Sequence, residues 1–242
     1  MMNGLQTVRR ILGYGSAAVA AAAVSYATYA AVKWARYGRV HPDRFPRDDL
    51  LDRFLPRPEV DICHRILVGA SAATTFAVAR EFDLQRLPVV RVILMLRALP
   101  SLLRGEPLRD SSRGVVAWTL AMGWVVLAEV PDREIVVGTV TQPWEPVAPS
   151  HTLPPEEFAA FNETGYAKIV YTLAADPLGP HESMFSIRTR VVTTDPVARE
   201  RFRRYWAVFS PGSLIIRYVA LPPVKAEAEL RARRSLGEPA HL

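Results

Sequence analysis

The residues best suited to chemistry in this chain are its histidines, its lone cysteine and two glutamates near the middle of the sequence. The five histidines lie too far apart for the short spacing of metal-ligating pairs: His41, His64, His151, His181 and His241. Cys63 has no second cysteine with which to form an internal disulfide or a zinc cluster. Glu129 and Glu145 would serve as general acid or base only if they faced a cavity, whereas most carboxylates are surface groups. The sequence therefore predicts no metal and no cofactor, and we assign no catalytic residue.

Short motifs that identify common enzyme classes are missing from the sequence. It contains no G-x-S-x-G nucleophile elbow, no H-E-x-x-H zinc motif and no phosphate-binding P-loop. Gly13, Gly15 and Ala18 spell G-x-G-x-x-A, but a dinucleotide site requires a preceding strand, and the sequence predicts none there. These observations disfavour an enzyme of a class that such motifs define.

The charge of the chain is basic but dispersed. The 30 basic residues exceed the 24 acidic ones, and only Lys33, Lys168 and Lys225 are lysines. The arginines are interspersed with carboxylates, as between Arg36 and Glu59. A nucleic-acid binder gathers its basic residues into one stripe with interleaved aromatic residues. We therefore expect no nucleic-acid partner, and the basicity suits an anionic membrane surface better.

An uncharged segment near the N-terminus is long enough to cross a bilayer. Ile11 to Val32 contains no charged residue, and about 20 residues at 1.5 Å each span the hydrocarbon layer. Basic and aromatic residues flank it, as at membrane interfaces: Arg9, Arg10, Lys33, Trp34 and Tyr37. Residues 1–35 are thus predicted to be a single-pass anchor. The slight excess of positive charge after it favours a cytoplasmic domain. A signal peptide cleaved after Ala27 and a soluble alanine-rich helix are the alternatives.

Residues 36–59 are rich in proline and mixed charge, which predicts a linker. After this linker, the stretch from Val60 to Gly69 alternates with period two and is predicted to form a strand. His64 lies on the apolar face of that strand, where a lone histidine is more often a packed core residue than a ligand.

Two helices are predicted to follow this first strand. Ser71 caps the first. The second runs from Pro88 to about Arg104 and is apolar over most of its circumference. Such a helix is covered on two sides or touches a ligand or a bilayer, and cover on two sides is the commoner arrangement.

The second half of the chain predicts an antiparallel sheet followed by a long helix. A hairpin is predicted over Gly123–Val130 and Glu134–Thr141, and two further strands over Tyr166–Ala174 and Ser183–Thr193. Both later strands alternate apolar with polar residues, which predicts one dry and one solvated sheet face. Asp195 is predicted to cap the final helix, with a bend at Ser210–Gly212 and an end or interruption at Pro222–Pro223. A charged tail, 226–242, is expected after it.

Three segments carry a resemblance to a known superfamily: VDICHRILVGASAATTFAVAREFDLQRLPVV, GWVVLAEVPDREIVVGTV and DPVARERFRRYWAVFSPGSLIIR. Their order of elements resembles the helix-grip fold of the START-related, or SRPBCC, superfamily, which includes polyketide cyclases, plant pollen-allergen proteins and lipid-transfer domains. The resemblance covers residues 60–225. It implies an α+β domain whose curved antiparallel sheet wraps around the C-terminal helix and encloses an apolar cavity for lipids, sterols or polyketides.

We therefore expect a membrane-tethered protein that binds a hydrophobic small molecule without transforming it. The expected ligand-binding residues are the apolar residues of the sheet and final helix, together with one tryptophan: Ile169, Tyr171, Phe185, Ile187, Phe202, Trp206, Phe209 and Trp144. Two alternatives stay open, a cyclase or dehydratase acting on a polyketide-like substrate and a protein-interaction module with a filled core. The pattern predicts no particular oligomeric state.

Overall fold

The computed structural model describes residues 24–32, 35, 48–102, 114–145, 150–235 and 237, and for 97–102 it describes the backbone alone. The helices are α1 (24–32), α2 (Asp49–Asp52), α3 (Ala72–Glu81), α4 (Pro88–Leu102), α5 (Val115–Ala121), α6 (Pro155–Ala160) and α7 (Pro196–Ser235). A short 3-10 helix, Leu84–Arg86, joins α3 to α4. The strands are β1 (Val60–Val68), β2 (Val125–Val130), β3 (Glu134–Thr141), β4 (Ser150–His151), β5 (Ala167–Gly179) and β6 (Glu182–Thr193).

All six strands belong to one antiparallel sheet. The order across it is β1-β6-β5-β3-β2, and the short β4 pairs with β3. Register places His64 opposite Ile187, and it places Thr189 between Ile62 on β1 and Tyr171 on β5. The predicted fold class is confirmed at this level, since the protein is a mixed α+β structure with an antiparallel sheet and a long C-terminal helix.

The last helix begins at the predicted cap. The Asp195 carboxylate accepts hydrogen bonds from the backbone N–H groups of Val197 at 2.8 Å and Ala198 at 3.0 Å. It also accepts one from the N–H of Gly165, which ties the start of the helix to the loop before β5. The Ala198 and Gly165 hydrogen bonds hold the pKa of the Asp195 carboxyl below its usual value.

Helix α7 does not end at its prolines, contrary to prediction. It runs unbroken through Pro211, Pro222 and Pro223 to Ser235. Its C-terminal half is held against the sheet, because Nζ of Lys225 donates to the carbonyl of Leu67 and Glu229 accepts from the N–H of Gly69, each at 2.8 Å. These tertiary contacts offset the backbone hydrogen bonds that proline removes. Residues 226–235 of the predicted tail therefore belong to the helix.

The sheet face that was predicted to be solvated is covered, and that prediction is wrong. Segment 48–59, which the sequence assigned to a linker, packs on it together with α6. A second apolar core results, made by Leu51, Phe54, Leu55, Leu127, Val136, Val140, Phe158 and Val170. Lys168, Arg188 and Arg190 on this outer face are thereby buried.

Carboxylates compensate the buried arginines of the outer face. Asp61 on β1 accepts from Arg188 at 2.8 and 2.6 Å and from Arg190 at 3.1 Å. Asp52, in α2, also pairs with Arg190. Buried charges need such partners because losing water costs each ion several kcal/mol. The polar face can therefore be buried because acidic residues from 48–61 neutralise its arginines.

The N-terminal anchor stays a prediction. Of the predicted span, the structure describes residues 24–32, which form α1 and lie against α7. The Tyr26 hydroxyl donates to the carbonyl of Val208, and the Tyr29 hydroxyl lies 3.4 Å from Oγ of Ser210. Among the described residues, the helix long and apolar enough to cross a membrane is α7. Because α7 also contributes to the core of the domain, this property alone does not make it a membrane span.

Candidate functional site between the sheet and the C-terminal helix

The inner face of the sheet, which faces α3 and α7, carries two separate apolar clusters. The basal cluster includes Val68, Phe76, Ile135, Val137, Leu173, Phe185, Leu221 and Val224. The distal cluster contains Val60, Ala167, Val191 and Phe202. Helix α7 contributes to both, through Phe202 at one end and through Leu221 and Val224 at the other. Its middle part, about 207–220, therefore lies between the two clusters.

Inner-face side chains between the two clusters are only partly buried. Ile62 and His64 on β1, Ile187 on β6, and Ile169 and Tyr171 on β5 all keep some accessible surface. A close-packed interior would leave side chains at the centre of a covered sheet with almost none. We call this region, bounded on the helix side by Ser213 and Arg217, the sheet–helix gap.

The residues predicted to bind a ligand divide between the two clusters and the gap. Phe185 and Phe202 are fully buried core residues. Trp206 stacks on Phe202 with ring centroids 5.6 Å apart. Ile169 and Trp144 are partly buried and pack against the distal cluster, and Tyr171 and Ile187 are partly buried and pack against the basal cluster. Phe209 is the exception, because 46% of it is exposed and its ring stacks on Tyr205 along the flank of α7.

Two of the aromatic side chains carry polar groups into the interior. The Tyr171 hydroxyl lies 2.7 Å from Oγ1 of Thr119, and burial raises the pKa of Tyr171 to about 12. This phenol therefore stays protonated at neutral pH. The indole Nε1–H of Trp144 is buried, and no acceptor for it lies among the described residues. A ligand oxygen would satisfy that donor.

Arg217 is a residue of the gap that the sequence did not single out. It is only 7% exposed, and its Nη2 donates to Oγ1 of Thr189 at 2.7 Å. Its Nη1 has a long hydrogen bond, 3.5 Å, to the carbonyl of Ser213. Burial lowers the pKa of the Arg217 guanidinium to about 10. The sequence did contain an indication that this residue is unusual, since Arg217 is the only charged residue in the apolar run SLIIRYVAL.

His64 takes the position that the sequence predicted, on the inner face of β1. Its ring meets that of Tyr218 edge to face, with centroids 4.7 Å apart. The two candidate acid–base residues lie elsewhere. Glu129 pairs with Arg80, and Glu145 is exposed and lies 4.0 Å from Arg201. In the described part of the chain, no group of three or more histidine, cysteine or carboxylate side chains is arranged to hold a metal ion.

A surface depression of about 420 Å³ lies at the β2 edge of the sheet, away from α7. Its walls come from the stretch from α5 into β2 and from the segment that enters α6: Leu120, Trp124, Val125, Val126, Thr152, Leu153, Pro154 and Pro155. The ring of Trp124 also lies 5.6 Å from that of Tyr171. Trp124 therefore stands between this depression and the sheet–helix gap.

Comparison with known proteins identifies no family for this chain. No family model matches it, and no curated protein does. Among solved structures, it is similar to the Zhui aromatase/cyclase from Streptomyces sp. R1128, at 14% identity and a TM-score of 0.25, covering 73% of this chain and 97% of that one. A START superfamily protein from Mycobacterium smegmatis gives 15% identity and a TM-score of 0.25, covering 72% and 97%. Norcoclaurine synthase from Thalictrum flavum gives 14% and 0.19, covering 73% and 96%.

Proposed function

We propose that this chain is a membrane-tethered protein that binds a hydrophobic small molecule, such as a lipid, sterol or polyketide, in the sheet–helix gap. The observation that carries the proposal is the divided core. Helix α7 is fastened to the sheet by an apolar cluster at each end. Ile62 and Ile169 at the edge of the distal cluster and Ile187 at the edge of the basal cluster stay partly exposed. Burial of apolar surface contributes about 25 cal/mol of stabilising free energy per Å², and surface that stays in water does not gain it. An apolar ligand would cover this surface.

The proposed membrane association is supported by the apolar surfaces of α4 and α7. On α4, Val89, Val92, Met95 and Leu96 are each about half exposed or more, and on α7 Val208, Phe209, Ile215 and Tyr218 are between 42% and 59% exposed. The two helices approach closely, since a methyl group added to Gly212 would lie 3.1 Å from Cγ2 of Ile93. Exposed apolar surface of this kind is typical of membrane or partner contact.

Contact between α1 and α7 supports the same proposal. Helix α1 is the end of the uncharged Ile11–Val32 stretch, and it lies against Val208 and Ser210. A single-pass anchor over residues 1–35 would therefore bring the apolar faces of α4 and α7 to the bilayer from which a ligand would enter. The charge excess after the stretch favours a cytoplasmic domain.

A cyclase or dehydratase is the second candidate. It is favoured by the polar groups on the inner face, where His64 and the Tyr171 hydroxyl accompany the apolar residues of the gap. A neutral phenol can donate a hydrogen bond to a substrate carbonyl, and an imidazole can move a proton. A filled interaction module is the third possibility, and the experiment below distinguishes it.

Native mass spectrometry tests the proposed function directly. Full-length protein is purified in mild detergent, and molecules bound to it are identified both on the intact protein and in an organic extract. We expect a hydrophobic molecule to accompany the wild-type chain. Repeated preparations that carry none would overturn the proposal and leave the interaction module.

A pair of substitutions locates the ligand. Ile187→Trp places a large side chain in the gap and is expected to reduce the bound molecule by about tenfold or more, the effect of about 1.4 kcal/mol. Leu178→Trp introduces the same side chain at a position that is 55% exposed near the end of β5, and it should leave the bound amount unchanged. Equal loss in both variants would contradict binding in the gap.

A further inference from the structure

The most buried arginines of the described chain differ in one respect. Arg188, Arg190 and Arg217 are 6%, 4% and 7% exposed. The first two form ion pairs with Asp61, Asp48 or Asp52 on the outer face. No Arg217 nitrogen lies within 4.0 Å of a carboxylate oxygen among the described residues. Its hydrogen-bond partners are instead a hydroxyl and a carbonyl oxygen.

A buried guanidinium without an anion is energetically unfavourable. It has lost much of its hydration, and the Thr189 and Ser213 oxygens supply partial rather than full negative charge. It also has five N–H donors, of which these two oxygens engage two. The remaining donors and the uncompensated charge both suit an anionic group from outside the chain.

The position of Arg217 determines where the rest of such a ligand would lie. Its partner Thr189 is on β6, directly between Ile62 and Tyr171 in the register of the sheet. Ile187 lies two residues from Thr189 on β6 and Ile169 two residues from Tyr171 on β5, so both share the inner face with Thr189, and both are partly exposed. An anion on the guanidinium would therefore have partly exposed apolar side chains immediately beside it.

We propose that the ligand of the sheet–helix gap is an amphiphile with a carboxylate head, which Arg217 binds while the hydrocarbon part lies on Ile62, Ile169 and Ile187. The planar fork of a guanidinium matches a carboxylate and can donate two parallel hydrogen bonds to it. This inference rests on the proposed function, because it specifies the chemistry of a ligand in the same gap.

The test compares ligands that differ only in the head group. Full-length protein in amphipol is loaded with the neutral fluorescent probe N-phenylnaphthylamine, and empty amphipol gives the background. Hexadecanoic acid, hexadecanol and methyl hexadecanoate are then used as competitors at about pH 8, where a carboxylic acid is ionised. We expect the acid to displace the probe at a concentration at least about tenfold lower than the alcohol or the ester requires.

Substitutions on α7 assign that preference to one side chain. Arg217→Met retains an apolar stem of similar length, and it should bind the probe while losing the preference for the acid. Arg217→Lys keeps the positive charge and should retain part of the preference, which provides a second variant if the first does not fold. Arg204→Met removes an arginine whose side chain is 71% exposed on the same helix, and it should behave as wild type.

The outcomes separate the two proposals. If the probe binds wild type but all three competitors are equivalent, or if Arg217→Met still prefers the acid, the carboxylate inference is wrong and hydrophobic binding stands. If the probe gives no signal above empty amphipol with wild-type protein, the proposed function fails and the inference fails with it. Loss of the acid preference in Arg204→Met as well would also overturn the assignment to Arg217.

Discussion

Asp61 and Arg188, on neighbouring strands, are joined by a two-point ion pair on the outer face of the sheet. Nε and Nη2 of Arg188 donate to the two carboxylate oxygens of Asp61 at 2.8 and 2.6 Å. Arg190 donates to the same carboxylate, so a single acidic side chain serves two buried cations. The stability of the covered outer face therefore depends strongly on Asp61.

Asp61→Asn is expected to be severely destabilising. It would remove the anion that two buried guanidinium groups share and leave Arg188 with Asp48 and Arg190 with Asp52. The expected loss therefore lies near the lower end of the about 3–5 kcal/mol that removal of one partner from a buried ion pair costs. Asp176→Asn is the matched control, because Asp176 pairs with Arg133 where both side chains are about half exposed, and such surface pairs contribute about 0–1 kcal/mol. Urea unfolding of both variants measures the difference. Similar midpoints for the two would contradict the role assigned to Asp61.

Glu134 should make stability fall as the pH rises through the acidic range. Burial raises its pKa from 4.5 to about 7, and the Asp48 and Asp176 carboxylates add to the increase. Between these two values the folded protein keeps a proton that the unfolded chain releases, so ionisation favours unfolding. Glu134→Gln is therefore expected to raise the melting temperature at about pH 8 by about 2–4 °C.

The same Glu134→Gln variant should match wild type near the ordinary pKa of a glutamate, because both side chains are then uncharged in the folded protein. The control is Glu182→Gln at the exposed start of β6, which should not change the shape of the pH profile. Thermal unfolding measured across this pH range checks both. Parallel wild-type and Glu134→Gln profiles would refute the prediction.

Arg217→Met should stabilise the ligand-free protein. It removes a charge that is buried without an anion, and the apolar replacement fits beside the isoleucines of the gap. The loss of the hydrogen bond to Thr189 offsets part of this gain. We expect the melting temperature of delipidated protein to rise by about 2–4 °C, the effect of about 1 kcal/mol in a domain of this size. A decrease would show that Arg217 stabilises the fold without a ligand.

The apolar face of α4 should contact lipid. Val92→Cys and Val197→Cys, each in a Cys63→Ser background, introduce thiols at positions that are 55% and 63% exposed, on α4 and in the first turn of α7. Each is labelled with an environment-sensitive fluorophore, and the full-length protein is placed in nanodiscs. Brominated lipid should quench the label at position 92 at least about twofold more than the label at position 197, since an interfacial helix buries its apolar face about 5–10 Å into the boundary between head groups and acyl chains. Equal quenching would refute a lipid-facing α4.

Much of the sheet could be predicted from local pattern. Strand β1, the hairpin β2–β3 and β6 appear where alternation and turn residues predicted them. Strand β5 begins close to its predicted start but extends past the predicted end at Ala174 to Gly179. Alternation also sorted the side chains correctly, with Ile169 and Tyr171 on one face and Lys168 on the other. This succeeds because the side-chain period of a strand is a property of its own backbone.

Alternation did not indicate that Lys168, Arg188 and Arg190 would be buried. Their cover comes from 48–59 and α6, and the pair between Asp61 and Arg188 joins residues 127 positions apart. A local pattern shows which residues share a face, but it carries no information about which distant segment packs on that face. Likewise, α7 continues past Pro222 and Pro223 because Lys225 and Glu229 fasten it to the end of β1.

Residue types and their order therefore determined the main strands, the start of α7 and the side of the sheet to which each strand residue belongs, since these follow from backbone geometry within a few residues. The tertiary structure determined which charged side chains form ion pairs. Asp61 reaches Arg188 and Arg190, whereas Arg217, a lone arginine in an apolar helix, meets Thr189 and Ser213. Electrostatic compensation depends on distances between remote parts of the chain, and those distances exist only after the sheet and α7 have packed together.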